Sequence, residues 1–463
     1  MLPNVANVNR TVTIEVNRMA GVYVIGLLLL GGAAAWTVDI AHDITVHMNQ
    51  VISVPFSVHN NNNNNNISNP HMWYFNTDQH IAKLSSQFTK SNKTSFSGIF
   101  NITGVFLGRT TLTFTITEMG IKEDQEVAVI TVIREERTID SVFTASVAIL
   151  VSILYINFGC AIDWNVCRNT LRRPIGPAIG FFCQFLIMPL LSFFIGYLLF
   201  PDHPELQIGM FFTGISPSGG ASNMWTLLLD GNLNLSITMT TICTIGAFGM
   251  MPFWVFTLGR YIFAQGKIAV PYQHIGTFVI GLIIPLAIGF IIQKKFPRVS
   301  KILVRVMKPF SVILIIFIII FAIMTNLYIF KLFTWKIIIA GMGLPWLGFT
   351  FGFIIAYICK QSQADIRAIA IETGIQNTGV AIFLLRFTLK PPADDLTTVV
   401  PVSAAMMTPV PLAILFIIKL IYKYKQKKTA KGTLQSAPSF EKLQQTTNVS
   451  TQLNESKSFD RAE

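Results

Sequence analysis

Charged side chains are scarce in this chain. Lys, Arg, Asp and Glu make up 13% of its 463 residues, against about 25% in soluble domains. With 52% hydrophobic residues and a mean hydropathy of +0.54, that shortage excludes an ordinary soluble protein and argues for a polytopic membrane protein. Cysteine is also rare. The five present, Cys160, Cys167, Cys183, Cys243 and Cys359, fall in or beside apolar segments. There is no CxxC and no metal-ligand spacing, so neither a disulfide framework nor a thiolate metal site is indicated, and the thiols read as buried and inert. HExxH, a GxGD pair and a nucleophile–base arrangement are likewise missing, which leaves an intramembrane enzyme without support. The net charge of +12 does not point to nucleic acid, because acids outnumber bases between Trp36 and Asp140. The basic excess gathers at Lys294, Lys295, Arg298, Lys301, Arg305 and Lys308, as the positive-inside rule places it.

The patterning divides the chain into four regions. Residues 1–35 read as a secretory signal or an uncleaved signal anchor: Arg10 and Arg18 precede an apolar run that ends in Ala33-Ala34-Ala35, and the segment after it is exported. Residues 36–140 alternate with period two, as in Ile52, Val54, Phe56 and Val58 or Leu112, Phe114 and Ile116. That pattern predicts a small extracellular β domain, a sandwich. Asn60 to Asn66 form a low-complexity loop, and glycosylation sequons start at Asn66, Asn92 and Asn101, which suits an exported domain. Residues 141–422 hold nine segments long enough to cross about 30 Å of hydrocarbon: 141–163, 174–200, 206–229, 233–260, 273–293, 309–330, 335–359, 364–388 and 398–422. Starting outside, an odd count leaves the C-terminus in the cytoplasm. Arg168, Arg172, Arg173 and the bases from Lys423 to Lys431 agree with that. Residues 423–463 read as a polar, disordered cytoplasmic tail. Plasma membrane is the expected destination.

Two of the nine segments are interrupted. The third contains Ser216-Pro217-Ser218-Gly219-Gly220-Ala221-Ser222-Asn223, and the eighth contains Glu372-Thr373-Gly374-Ile375-Gln376-Asn377-Thr378-Gly379. The eighth lies five spans on from the third, so the two run through the membrane in opposite directions. The expected architecture is therefore an α-helical bundle of nine spans in a 4+5 inverted repeat with two broken, crossing helices. Matching Gly/Pro-broken segments are the best sequence pointer to a transporter's binding site.

Glu372 lies inside one of these breaks. A charge at mid-bilayer costs about 2.5–3.5 kcal/mol on insertion scales, so it needs compensation. No Lys or Arg lies deep enough to supply it, since Arg386 sits near the outer end of its span. Oxygen donors surround it in the sequence: Ser222 and Asn223 in the third segment, Gln376 beside it, and Ser236 and Thr240 four residues apart on one face of the fourth. The second segment adds Gln184. A set with one carboxylate and no thiol or imidazole suits a hard monovalent cation, Na⁺, carried as a co-transported ion. The bland alternatives are a neutral structural acid, a proton-coupled carrier, and hydroxyls that serve only helix packing. Asn377 is placed either to face a substrate or to cap the second half-helix.

The stretches QFLIMPL (184–190), SPSGGASN (216–223), DGNLNLSITMTTICTIGAFGMMP (230–252) and ETGIQN (372–377) resemble the sodium/bile acid cotransporter family over about 141–422. The resemblance implies a core domain, a panel domain and alternating access between them. It also implies two sodium sites, on Gln184, Ser222, Asn223, Ser236, Thr240, Glu372 and Gln376. The chain departs from the vertebrate bile-acid carriers at Ile375, where those usually have cysteine, and at Thr378-Gly379. Its exported β domain is similar to that of members with long N-terminal extensions. The implied function is sodium-coupled import of a bile-acid-like or sulfated steroid-like organic anion. A signalling receptor that binds ligand through residues 36–140 is the competing reading, against which nine spans and two breaks count.

Overall fold

The computed structural model describes residues 36–60, 72–91, 95–118, 121–135, 138–162, 164–266, 268–270, 272–306 and 333–436. The segment 1–35, the sequons at Asn66 and Asn92, the expected span 309–330 and residues 437–463 lie outside the described residues. The chain divides into two units at Val132/Ile133.

The first unit contains eight strands: β1 (Trp36–Asp39), β2 (Asp43–His47), β3 (Val51–Asn60), β4 (Met72–Asn76), β5 (Ala82–Ser91), β6 (Ser95–Gly104), β7 (Gly108–Glu118) and β8 (Ile121–Ile133). They form two four-stranded sheets in the orders β1-β3-β6-β5 and β2-β8-β7-β4. The pleat sends alternate side chains to opposite faces, so Val54, Phe56 and Val58 are buried while Ser53, Pro55 and His59 are exposed. Both sheets feed one core, in which Phe56, Phe100 and Ile102 meet Leu112, Phe114 and Ile130. Phe56 stacks on Phe100 at 4.1 Å, and Phe75 of β4 meets Phe100 edge-on at 4.6 Å. The period-two pattern did specify a sandwich. Asn101 lies in the middle of β6, where Ser53 Oγ donates to its Oδ1 at 2.8 Å.

The second unit is helical. Its elements are α1 (Thr138–Ala161), α2 (Trp164–Leu171), α3 (Ile175–Phe182), α4 (Met188–Leu199), α5 (Pro204–Ile215), α6 (Ala221–Leu228), α7 (Leu233–Trp254), α8 (Arg260–Gln265), α9 (Tyr272–Lys295), α10 (Trp335–Ile358), α11 (Gln363–Gly374), α12 (Thr378–Thr388), α13 (Ala393–Leu396), α14 (Val399–Met407) and α15 (Pro409–Ser436). Wide π-helical turns, Cys183–Ile187 and Val255–Gly259, join α3 to α4 and α7 to α8. Five continuous helical stretches among the described residues are long and apolar enough to cross a bilayer: Ile175–Leu199, Leu233–Gln265, Tyr272–Lys295, Trp335–Ile358 and Ala393–Gln426. The end of α1 with α2, bent by 70°, makes a sixth if counted as one span.

Three local features differ from the sequence expectations or add to them. α15 runs to Ser436, so the first part of the 423–463 segment is helical and not disordered; apolar positions continue to Ile421 and nothing helix-breaking intervenes before Gly432. Cys359 is exposed, unlike the other four cysteines; it is the C-cap of α10, beyond the helix's last residue. α1 and α9 cross in near backbone contact. A methyl placed on Gly159 would lie 2.3 Å from the Leu286 carbonyl oxygen, and one on Gly289 would lie 2.1 Å from that of Ile156.

The starts of α7 and α11 are tied together. Asn232 caps α7 by accepting from Leu235 N, and Ser362 caps α11 by accepting from Asp365 N. Asn232 Nδ2 donates to Asp365 Oδ1 at 2.7 Å. This fixes the axial register between the helix that carries Ser236 and Thr240 and the helix that carries Glu372. Nearby, Lys419 Nζ holds the end of α6 through the Leu228 carbonyl (2.6 Å) and Asp230 Oδ2 (2.5 Å). That hydrogen bond from Lys419 lowers the Asp230 carboxyl below its ordinary value.

Candidate functional site

Two helix breaks meet at the centre of the second unit. α5 stops at Ile215 because Pro217 has no N–H to donate and disfavours helical geometry at the residue before it; Ser216 is extended, at φ −63° and ψ 152°. α11 stops at Gly374, and Ile375 is extended at φ −90° and ψ 102°. The two extended stretches pair as an antiparallel bridge between Ser218 and Gln376. Gly219 N donates to Ile375 O and Asn377 N to Pro217 O, each at 2.8 Å. Backbone groups released by the breaks are thus satisfied inside protein, as a lipid-embedded segment requires. The approach is tight at Gly219, where a methyl would lie 3.0 Å from Gln376 O. Two helices end and two begin at this crossing, so carbonyl-rich and N–H-rich termini face each other there.

Glu372 sits beside the bridge and is 1% exposed. Three hydroxyls converge on its carboxylate. Ser218 Oγ and Thr240 Oγ1 each donate to Oε1 at 2.6 Å, and Ser236 Oγ lies 2.9 Å from Oε2. Ser236 also lies 2.9 Å, and Thr240 3.4 Å, from Asn223 Oδ1, and the hydroxyls of Ser222 and Thr240 are 3.5 Å apart. The i, i+4 spacing on α7 therefore does place Ser236 and Thr240 side by side. No basic side chain among the described residues pairs with Glu372. What surrounds this acid is a set of oxygens from three elements that the sequence separates by up to 154 residues.

A second polar cluster lies at the same crossing. Gln184 Nε2 donates to the Ser216 carbonyl and to Gln376 Oε1, both at 2.7 Å, while Gln376 Nε2 donates to Thr373 O at 2.7 Å. Gln184 occupies the π-helical turn Cys183–Ile187. Such turns recur at functional sites because the extra residue redirects side chains and frees a carbonyl. Here Trp254 Nε1 takes up the Phe185 carbonyl at 2.7 Å. Asn377 caps α12, with its Oδ1 accepting from Val380 N at 3.2 Å. Of the two roles open to it, the capping one is thus occupied.

All seven sequence-derived ligand candidates are buried or half-buried around this crossing. Ser218 was not among them, although it makes one of the two shortest contacts to Glu372. It lies in the non-helical break, where helical spacing gives no orientation; only the strand-like pairing of the two breaks turns its side chain toward Glu372. Thr226, buried on α6 with its hydroxyl 3.3 Å from Ser236 Oγ, was missed for a similar reason, since its partner is on another helix.

A cavity of about 170 Å³ opens beside the carboxylate cluster. One wall carries Asn223, Thr240, Thr241 and Thr244, and the other carries Phe158 and Leu286 from α1 and α9. Leu233, Ile237 and Ile245 of α7 add to the lining, so the cavity is mostly apolar with a few polar groups near the carboxylate cluster, which suits an amphipathic solute.

Comparison with known proteins points to one family of transporters. The profile of the Sodium Bile acid symporter family matches residues 148–332. An ileal sodium/bile acid cotransporter of Oryctolagus cuniculus is 32% identical over 260 residues, covering 56% of this chain and 73% of that protein. A sodium-dependent organic anion transporter of Bos taurus is 32% identical over 256 residues, covering 54% and 65%. A P3 protein of Homo sapiens is 30% identical over 261 residues, covering 56% and 54%.

Proposed function

This chain belongs to the sodium/bile acid symporter family, a family of transporters and not enzymes, and on that footing we propose that it imports an organic anion by sodium-coupled symport. The observation that carries the reading is the convergence of the Ser218, Ser236 and Thr240 hydroxyls on one buried carboxylate at the crossing of two broken helices, with Ser222 beside Thr240 and Asn223 Oδ1 beside both Ser236 and Thr240. Glu372 with these oxygens would hold one Na⁺. Gln184 and Gln376, through their amide oxygens and the carbonyls freed by the breaks, would hold a second. Both sets suit a hard cation, since every group that would face the ion is oxygen. The anion would occupy the cavity beside Asn223 and Thr240; Asn377, whose Oδ1 caps α12, would offer its amide N–H groups as a second contact at the crossing. Names carried by the relatives, sodium/bile acid cotransporter and sodium-dependent organic anion transporter, support an organic anion as solute, and within that class the reading favours a bile-acid-like or sulfated steroid-like molecule.

The reading includes nine spans in a 4+5 inverted repeat, the N-terminal β domain outside, the C-terminus in the cytoplasm, and residence in the plasma membrane. Alternating access would move the helices that carry the crossing against the α1/α9 pair. The inward Na⁺ gradient would drive uptake.

Radiolabelled steroid sulfate and bile acid, offered to cells in Na⁺ and in choline media, test this. Uptake is expected only in Na⁺, and equal uptake in both media would refute the coupling. Thr240→Ala removes a hydroxyl at 2.6 Å from the carboxylate. Hydrogen bonds to charged groups contribute about 1.5–3 kcal/mol, so the Na⁺ concentration for half-maximal uptake should rise roughly tenfold or more. Ser218→Ala should move it in the same direction. An unchanged Na⁺ dependence in both variants would detach these hydroxyls from the ion.

A further inference from the structure

Asn157, on α1, is 1% exposed, and neither atom of its amide has a hydrogen-bond partner among the described residues. An unsatisfied buried donor or acceptor destabilises the fold, and leucine would fill nearly the same space without that cost. Packing alone therefore gives no reason for asparagine here.

Its position supplies one. Helical spacing puts Asn157 on the same stripe of α1 as Ala161, one turn away. Ala161, with Phe158 and Ile162, lines the cavity beside the carboxylate cluster. In the other direction along α1, Tyr155 lines a second, smaller apolar pocket. The same three helices wall both spaces in succession: α7 lends Thr244 to the first and Phe248 to the second, and α9 lends Leu286 and then Leu282. Along α1, Asn157 falls between the residues that line the two. Sites for organic ligands run to roughly 300–1,000 Å³, so a cavity of about 170 Å³ must lengthen to take a whole solute. Asn157 itself lines neither space as it stands; its level on α1 lies between their lining residues, so it comes within reach of a solute only where the two spaces join.

The chemistry of the amide narrows what it meets. It offers both a donor and an acceptor. A sulfate or carboxylate only accepts and would leave the amide oxygen unpaired, whereas a hydroxyl both donates and accepts and satisfies both halves. We propose that Asn157 is a specificity-determining contact for a hydroxyl on the apolar body of the transported anion. This rests on the carrier reading above.

The test compares the wild-type full-length chain with Asn157→Leu, using two steroid sulfates that differ by one ring hydroxyl. In the wild type, kcat/KM for Na⁺-dependent uptake should favour the hydroxylated probe. In the variant that preference should fall about tenfold, which at 1.4 kcal/mol per decade is one hydrogen bond, while the plain probe is carried as well as before or better. Thermal melting of the purified variant gives a second readout. Tm should rise, because a buried unpaired amide has been replaced by an apolar group. An unchanged preference, with both probes still carried by the wild type, would overturn the inference and leave the carrier reading standing. A fall in Tm would also overturn it, since the amide would then be bonded within the fold. Failure of the wild type to carry either probe would overturn the carrier reading and this assignment with it.

Discussion

Glu372→Ala and Glu372→Gln are both expected to abolish Na⁺-dependent uptake without preventing delivery of the protein to the cell surface. The reason is electrostatic. A unit charge 4 Å from a monovalent cation, at an effective dielectric constant of about 20, is worth roughly 4 kcal/mol, or about a thousandfold in ion affinity. The hydroxyls of Ser218, Ser236 and Thr240 cannot replace that term, because neutral oxygens only solvate the ion. The glutamine variant separates charge from shape: its amide oxygen still accepts from one or two of these hydroxyls, so the pocket keeps its packing while losing its charge. Uptake in Na⁺ and choline media, normalised to surface-labelled protein, reads the result. Na⁺-stimulated uptake by Glu372→Gln at near the wild-type level would remove the acid from any ion-holding role and leave it as a structural acid.

The second large effect is on stability. Gly289→Val should destabilise the protein by about 3 kcal/mol, at the upper end of the usual cost of overpacking, and Gly159→Val should do the same. In both cases the obstructing atom is a carbonyl oxygen of the facing helix, at 2.1 and 2.3 Å. Backbone cannot rotate aside as a side chain can, so the helices must separate. Close approach through small residues is a principal source of helix association in bilayers, and separation therefore gives up contacts along the whole crossing. Gly281→Val is the control. It lies on the same helix, and a methyl built on Gly281 meets nothing within 4 Å. Melting curves of the three purified variants should show two large drops and one near-wild-type value. If all three melt together, the α1/α9 contact is looser than described.

These results also mark what the sequence could reveal. Ser236 and Thr240 were legible because an i, i+4 pair on a helix must share a face, and Glu372 was legible because a lone acid in an apolar run demands an explanation. The breaks announced themselves through Pro217 and the adjacent glycines. Period-two alternation located the β domain and its inward faces. Other features arise from contacts that spacing along one element cannot encode. Ser218 turns toward Glu372 only because two breaks pair like strands. Gly159 and Gly289, 130 residues apart, read singly as ordinary glycines in apolar helices. Asn157 looks like one more polar residue in a span until its burial, and its lack of partners among the described residues, are known. The end of the last helix was less legible, because high polarity beyond Tyr422 suggests disorder where α15 continues. Polar composition alone does not end a helix without a breaker.

The side chains that crowd Glu372 are rotors. Serine and threonine hydroxyls swing about their C–O bonds, so an oxygen that lends its proton to the carboxylate can, after a turn of that bond, present lone pairs to a metal ion instead. Under the proposed symport, capture and release of an ion here would require only light atoms to move relative to the heavy framework of the crossing. A solute gradient could accordingly be coupled to a site whose occupancy switches quickly, leaving the slow, large-scale motion to the helices around it.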